Sequence, residues 1–179
     1  MQRHVIMDEK LPMLFEIMPL PDEPMENEYQ FASIVWERAV HVTKKTGDHP
    51  PLALFKSENV LVLVAMDFRP ELKEQIVIRL HQAAHDFAAE SFAMVMTMWF
   101  LDDPELTRQC MDYDLKPSQH TKRKEGLLIE VQTKTGEKLM IGEIIRGKNQ
   151  EVVDIKEKEY KGALTVKSRF SGIITRGVA

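Results

Sequence analysis

The sequence predicts an α+β protein, with one mixed β-sheet of about six strands covered by two main helices. Three observations point there. Apolar residues recur at the spacing of one helical face over residues 26–45 and again over 70–89. Two continuous apolar runs, Val60–Met66 and Phe92–Leu101, read as strands with buried faces. Two further runs, Leu127–Val131 and Leu139–Ile145, flank Thr133–Lys138 with Gly136 at the bend, the pattern of a β-hairpin.

The elements follow in order. Residues 1–26 hold five Met and four Pro. Pro12, Pro19, Pro21 and Pro24 forbid a continuous helix, so this segment reads as an irregular arm or short strand lying on the domain or on a second subunit. The first helix carries Phe31, Ile34, Val35, Ala39 and Val42 on one face. Lys44 and Lys45 suit its C-terminal dipole, Gly47 stops it, and His49-Pro50-Pro51 prevents a restart. Leu52–Phe55 and Val60–Met66 come next, separated by a turn at Ser57-Glu58-Asn59. Pro70 opens the second helix, whose buried face is Leu72, Ile76, Leu80, Ala83 and Phe87. The strand–helix–strand order from Val60 to Leu101 is compatible with a parallel crossover. After the polar stretch of residues 102–125 and the hairpin, a charged segment (Lys148–Lys161) leads to a last strand within Ala163–Thr175. The domain reading is therefore an arm, 1–26, and one α+β domain, 27–179, with a long polar loop at about 102–125.

Composition limits the function classes. The chain has 179 residues, 44% hydrophobic and 29% charged, enough apolar content to bury a core. Cys110 is the single cysteine, which excludes an intrachain disulfide and any zinc site needing two cysteines. No apolar run reaches the roughly 18 residues of a membrane helix. The opening segment has acids within its apolar stretch and no small-residue cleavage site, so a cytoplasmic protein without a membrane partner is expected. Residues 1–114 carry a net charge of −10 and residues 115–179 one of +6. A basic face for nucleic acid is one reading of that split, and attraction between the two halves is the plainer one.

Few residues suggest chemistry. Glu74, His81 and His85 share a helical face at metal-ligand spacing, but that face lies opposite the apolar stripe and reads as solvated. Asp112 or Asp114, followed by Glu130 and Lys134 on the hairpin, loosely matches the acid–acid–lysine set of metal nucleases. Strand alternation gives Glu130, Gln132 and Lys134 one face, as on the solvent side of any half-buried strand. The run His120–Lys124, with Lys116 and Tyr113, would suit phosphates and a stacked base, or is simply a solvated loop. Met94, Met96 and Met98 alternate on one strand face, as core filling or a pliable surface. No GxSxG, GxGxxG or GxxxxGK[ST] motif is present, and no cofactor is expected.

Residues 70–146 resemble small uncharacterised proteins of bacterial and phage genomes. These have a helix, a strand ending near a Trp, a polar loop with a Pro-Ser…Arg-x-Glu element, and a hairpin. The matching residues here are Trp99, Pro117, Ser118, His120, Arg123, Glu125 and the run GLLIEVQTKTGEKL. Met98 and Phe100 depart from the more polar setting of that pattern. The resemblance implies an α+β fold and a mobile-element origin, and no activity. Trp99, His120, Arg123 and Glu125 form the binding candidate, with Arg123 fixing an anionic partner and Glu125 holding Arg123. The plainer alternative is that Arg123 and Glu125 pin the loop to the hairpin. The expected function is non-enzymatic: a binding or self-associating protein with a protein partner or a second copy of itself. A metal-dependent nuclease is the alternative, and a nucleic-acid binder using the basic C-terminal third comes after it.

Overall fold

The computed structural model of the protein describes residues 4–7, 11–22, 25–67, 69–113, 115–158 and 172–174. Among the described residues eight strands form one sheet: β1 (His4–Met7), β2 (Met13–Pro19), β3 (Leu52–Lys56), β4 (Val60–Met66), β5 (Ser91–Phe100), β6 (Lys124–Thr133), β7 (Glu137–Arg146) and β8 (Val152–Lys158). Their spatial order is β1-β2-β4-β3-β5-β6-β7-β8. Every neighbouring pair is antiparallel, which corrects the expected mixed sheet. The crossover reading was right in direction but not in adjacency. β4 and β5 both run antiparallel to β3, so they are parallel to each other with β3 inserted between them.

The helices are α1 (Glu28–Thr46), α2 (Lys73–Asp86, entered through a 3₁₀ turn at Pro70–Leu72) and α3 (Pro104–Asp112). Asn27 caps α1, its Oδ1 accepting from the N–H of Tyr29 and of Gln30 at 3.0 Å each. Gly47 ends it at φ +85°, and its N–H reaches the Thr43 carbonyl. α3 corrects the expectation of a structureless loop at 102–125. Asp103 provides its cap, accepting from Glu105 N–H at 2.9 Å, and Pro104 takes the first helical position, where a missing N–H costs nothing. Residues 1–26, read as an arm, contribute β1 and β2 to the sheet. The charged segment after Lys148 contains β8, paired on β7. Of the last expected strand, residues 163–171 and Thr175 lie outside the described residues.

The helices sit on opposite faces and over different halves. α2 brings Ile76, Leu80 and Ala83 onto Phe55, Val64 and Phe92. α1 brings Phe31, Val35 and Ala39 onto Ala93, Ile129 and Val131 on the other face. Alternation along β5 feeds both cores, with Phe92 and Met94 toward α2 and Ala93 and Val95 toward α1. Phe55 and Phe92 meet across strands, ring centroids 5.2 Å apart and tilted by 43°.

Three contacts seat α1 on the β6–β7 hairpin. At its N-terminus the Thr135 hydroxyl donates to Glu28 Oε2 at 2.6 Å. At its C-terminus Arg146 Nη2 donates to the Gly47 carbonyl at 3.0 Å. In the middle, Trp36 lies against Gly142, where a methyl group would stand 2.5 Å from Trp36 Cη2 and 2.6 Å from Ile155 Cγ2. Both neighbours are half-buried side chains packed against the core, so Gly142→Ala is expected to lower stability by about 1–3 kcal/mol through overpacking. Urea denaturation checks this. An unchanged midpoint would mean that Trp36 does not seat α1.

Candidate functional site

The sequence-derived binding candidate is built at one end of the sheet. Trp99 and Glu125 are cross-strand partners on β5 and β6. Trp99 remains 43% exposed, and the Arg123 guanidinium lies over its ring, 4.8 Å from the centroid. Arg123 also donates to the Ser118 carbonyl at 2.9 Å. Glu125 does not hold Arg123. It takes Arg146 in a two-point pair, Nε to Oε2 at 2.6 Å and Nη2 to Oε1 at 2.5 Å. That pair holds the Arg146 pKa above its ordinary value. Arg146 reaches Glu125 because both lie on the α1 side of neighbouring strands, whereas Arg123 precedes β6 and stacks outward. His120 Nδ1 accepts from the Lys122 N–H at 3.1 Å. The structure therefore brings Trp99 and Arg123 together, and separates Glu125 from Arg123.

Of the nuclease set, Glu130 and Lys134 make separate contacts. Asp114 lies outside the described residues, and Asp112 is exposed at the end of α3. Glu130 is buried, not on a solvent face as alternation suggested, and accepts from Gln132 Nε2 at 2.9 Å. Gln132 Oε1 in turn accepts from the N–H of Ile174 at 3.4 Å, because residues 172–174 pack over this part of the sheet. Lys134 pairs with Glu90 at 2.9 Å. Glu74, His81 and His85 are exposed on α2. Among the described residues no group of three or more His, Cys, Asp or Glu is placed to hold a metal ion.

Three lysines of the basic C-terminal part, Lys124, Lys134 and Lys158, meet acids of the negative N-terminal part. Besides Lys134–Glu90, Lys124 and Lys158 reach Asp102 at 2.9 and 3.3 Å and Glu143 at 3.1 and 2.9 Å. The two ammonium groups hold the Asp102 carboxyl below its ordinary pKa, Lys124 most strongly. The alternating quartet closes on itself and ties β5, β6, β7 and β8 at one end of the sheet.

One feature was not found from the sequence. Because α1 sits over β5–β8, the same face of β3 and β4 is only partly covered. An apolar groove of about 160 Å³ results. Leu52 and Leu54 of β3 and Leu61 and Leu63 of β4 form its floor, and Ile34, Val35, Ala39 and Val42 of α1 form its wall. Met18, Pro21 and Met25 close it from the β2 side. The signal was present. The apolar stripe of α1 is wider than its seat, so Phe31, Val35 and Ala39 are buried while Ile34 is half-buried and Val42 exposed.

His49 lines this groove together with Arg38. The loop that carries His49 is fixed by Arg146 on Gly47 and by Thr97, whose hydroxyl donates to Asp48 Oδ1 at 2.8 Å. The same Asp48 oxygen accepts the His49 N–H at 2.8 Å. His49 is 4% exposed, and its Nδ1 lies 2.8 Å from the Pro50 carbonyl. An oxygen acceptor there puts the proton on Nδ1. Burial lowers the His49 pKa, and the Pro50 carbonyl and Asp48 offset only part of that.

This sets a pH dependence. Between the depressed folded pKa and the unfolded value of about 6.5, the unfolded chain binds the proton that folded His49 refuses. The His49 contribution is thus complete above about pH 6.5 and is lost as pH falls through that window, at no more than about 1.4 kcal/mol per pH unit. Urea denaturation from pH 7.5 to 5 should show a steeper loss for the native protein than for His49→Phe. Parallel curves would contradict this assignment.

No protein-family model, no curated protein and no solved structure matches this chain, so a role can be assigned from its own residues alone.

Proposed function

We propose that the protein works by binding, and that the groove between α1 and the β2–β4–β3 part of the sheet receives the apolar body of a small molecule. The observation that carries this is the lining. Among the described residues that line the groove only Arg38 and His49 are polar, on a floor and wall of Leu, Ile, Val and Ala. Concave, mostly apolar sites with a few placed polar groups are where small ligands bind. The polar clusters elsewhere support the same reading, since Glu125–Arg146 and the Lys124–Asp102–Lys158–Glu143 quartet are spent on internal pairs.

Methyl-labelled protein titrated with toluene tests this reading. Saturable shifts are expected at Val35, Leu54, Leu61 and Leu63, with a dissociation constant on the order of millimolar, about −4 kcal/mol. Methyls of the α2 core, such as Val64 and Leu80, should stay in place. Absence of saturable shifts at the groove would overturn the proposal.

A further inference from the structure

We propose that the ligand of this groove is a small neutral ring bearing a hydroxyl group, of the phenol class, whose O–H donates to Nε2 of His49. The inference rests on the binding reading above and adds the chemistry of the occupant.

Size comes first. A groove of about 160 Å³ is close to the engineered apolar cavity of about 150 Å³ that accepts benzene. One six-membered ring with one or two further heavy atoms fills such a space. The lining of Leu, Ile, Val, Met and Ala side chains rewards a hydrocarbon ring, and Arg38, the one charged side chain among the described lining residues, is exposed to water and already engaged, which weakens its pull on an anion.

Polarity then narrows the class. Arg38 already has a partner. Among the described residues the His49 ring makes one hydrogen bond, from Nδ1 to the Pro50 carbonyl. That bond fixes the tautomer and leaves Nε2 as an acceptor. His49 as a residue is nearly all buried, yet no side-chain nitrogen or oxygen among the described residues is both sealed from solvent and unpartnered. Nε2 is therefore not sealed, and His49 is one of the residues that line the groove. Burial keeps the ring neutral at pH 7, so the acceptor persists. A ligand that covers Nε2 must supply a donor or leave the nitrogen unpaired. A hydroxyl supplies one, a hydrocarbon does not, and a carboxylate presents only acceptors.

Three probes on the native protein test this: phenol, toluene and benzoate, followed by groove-methyl shifts. Phenol is expected to bind about three- to tenfold more tightly than toluene, the worth of one net hydrogen bond. Benzoate is expected to bind more weakly than either. In His49→Phe the preference for phenol over toluene should vanish while toluene still binds. Should that variant fail to fold, the ¹⁵N shift of His49 Nε2 in the native protein replaces it, moving with phenol and not with toluene. Toluene binding as tightly as phenol, or benzoate binding most tightly, overturns the hydroxyl assignment and leaves the binding reading standing. If none of the three binds, the binding reading itself falls.

Discussion

The first half of strand β5, Ser91–Val95, is buried on both faces, and the placement of the other elements depends on that. β3 pairs with it over Ser91–Val95 and β6 over its whole length. Phe92 and Met94 enter the core under α2, and Ala93 and Val95 enter the core under α1. A strand shared in this way lets two helices lie on opposite faces without competing for one surface. Each fully buried aliphatic or aromatic side chain contributes about 1.5–3 kcal/mol, and this one strand supplies such side chains to both cores. The small side chain of Ala93 matters as much as the large one of Phe92, because α1 crosses directly over it.

The groove follows from where α1 is held. Glu28 at its first turn, Trp36 against Gly142, and the Gly47 carbonyl under Arg146 all tie it to β6 and β7. None of these attachments reaches β3 or β4. Leu52, Leu54 and Leu63 on that part of the face are therefore half-buried, and the loop after α1 brings His49 to the same place. Arg146 joins the two effects, since it pairs with Glu125 and holds the end of the helix from which the His49 loop departs.

Both long helices, the β3–β4 turn and the β6–β7 hairpin were legible because each rests on a local pattern: helical periodicity, a cap, or a glycine at a bend. What was missed depends on distant partners. β8 reads as a charged segment, since Asp154, Lys156 and Lys158 on an edge strand look like any solvated run. The capping pair Asp103-Pro104 was a legible start signal for α3, masked by the polarity around it. The partner of Glu125 could not be read locally, because Arg146 is 21 residues away and Arg123 only two. Glu130 and Gln132 looked solvated by alternation and are buried because residues 172–174 return over them. The groove was least legible. A sequence shows that Leu52, Leu54 and Leu63 are apolar, but not that the helix above them is seated two strands away.

The central claim is that the face of β3 and β4 beside α1 offers an accessible apolar cavity, distinct from the two packed cores. Xenon is the most direct probe, since it enters apolar cavities without needing any particular chemistry. Methyl spectra under increasing xenon pressure should show saturable shifts at Val35, Leu54, Leu61 and Leu63, and little change at Val64, Ile76 and Leu80. Shifts spread evenly through both cores, or none at the groove, would contradict the account.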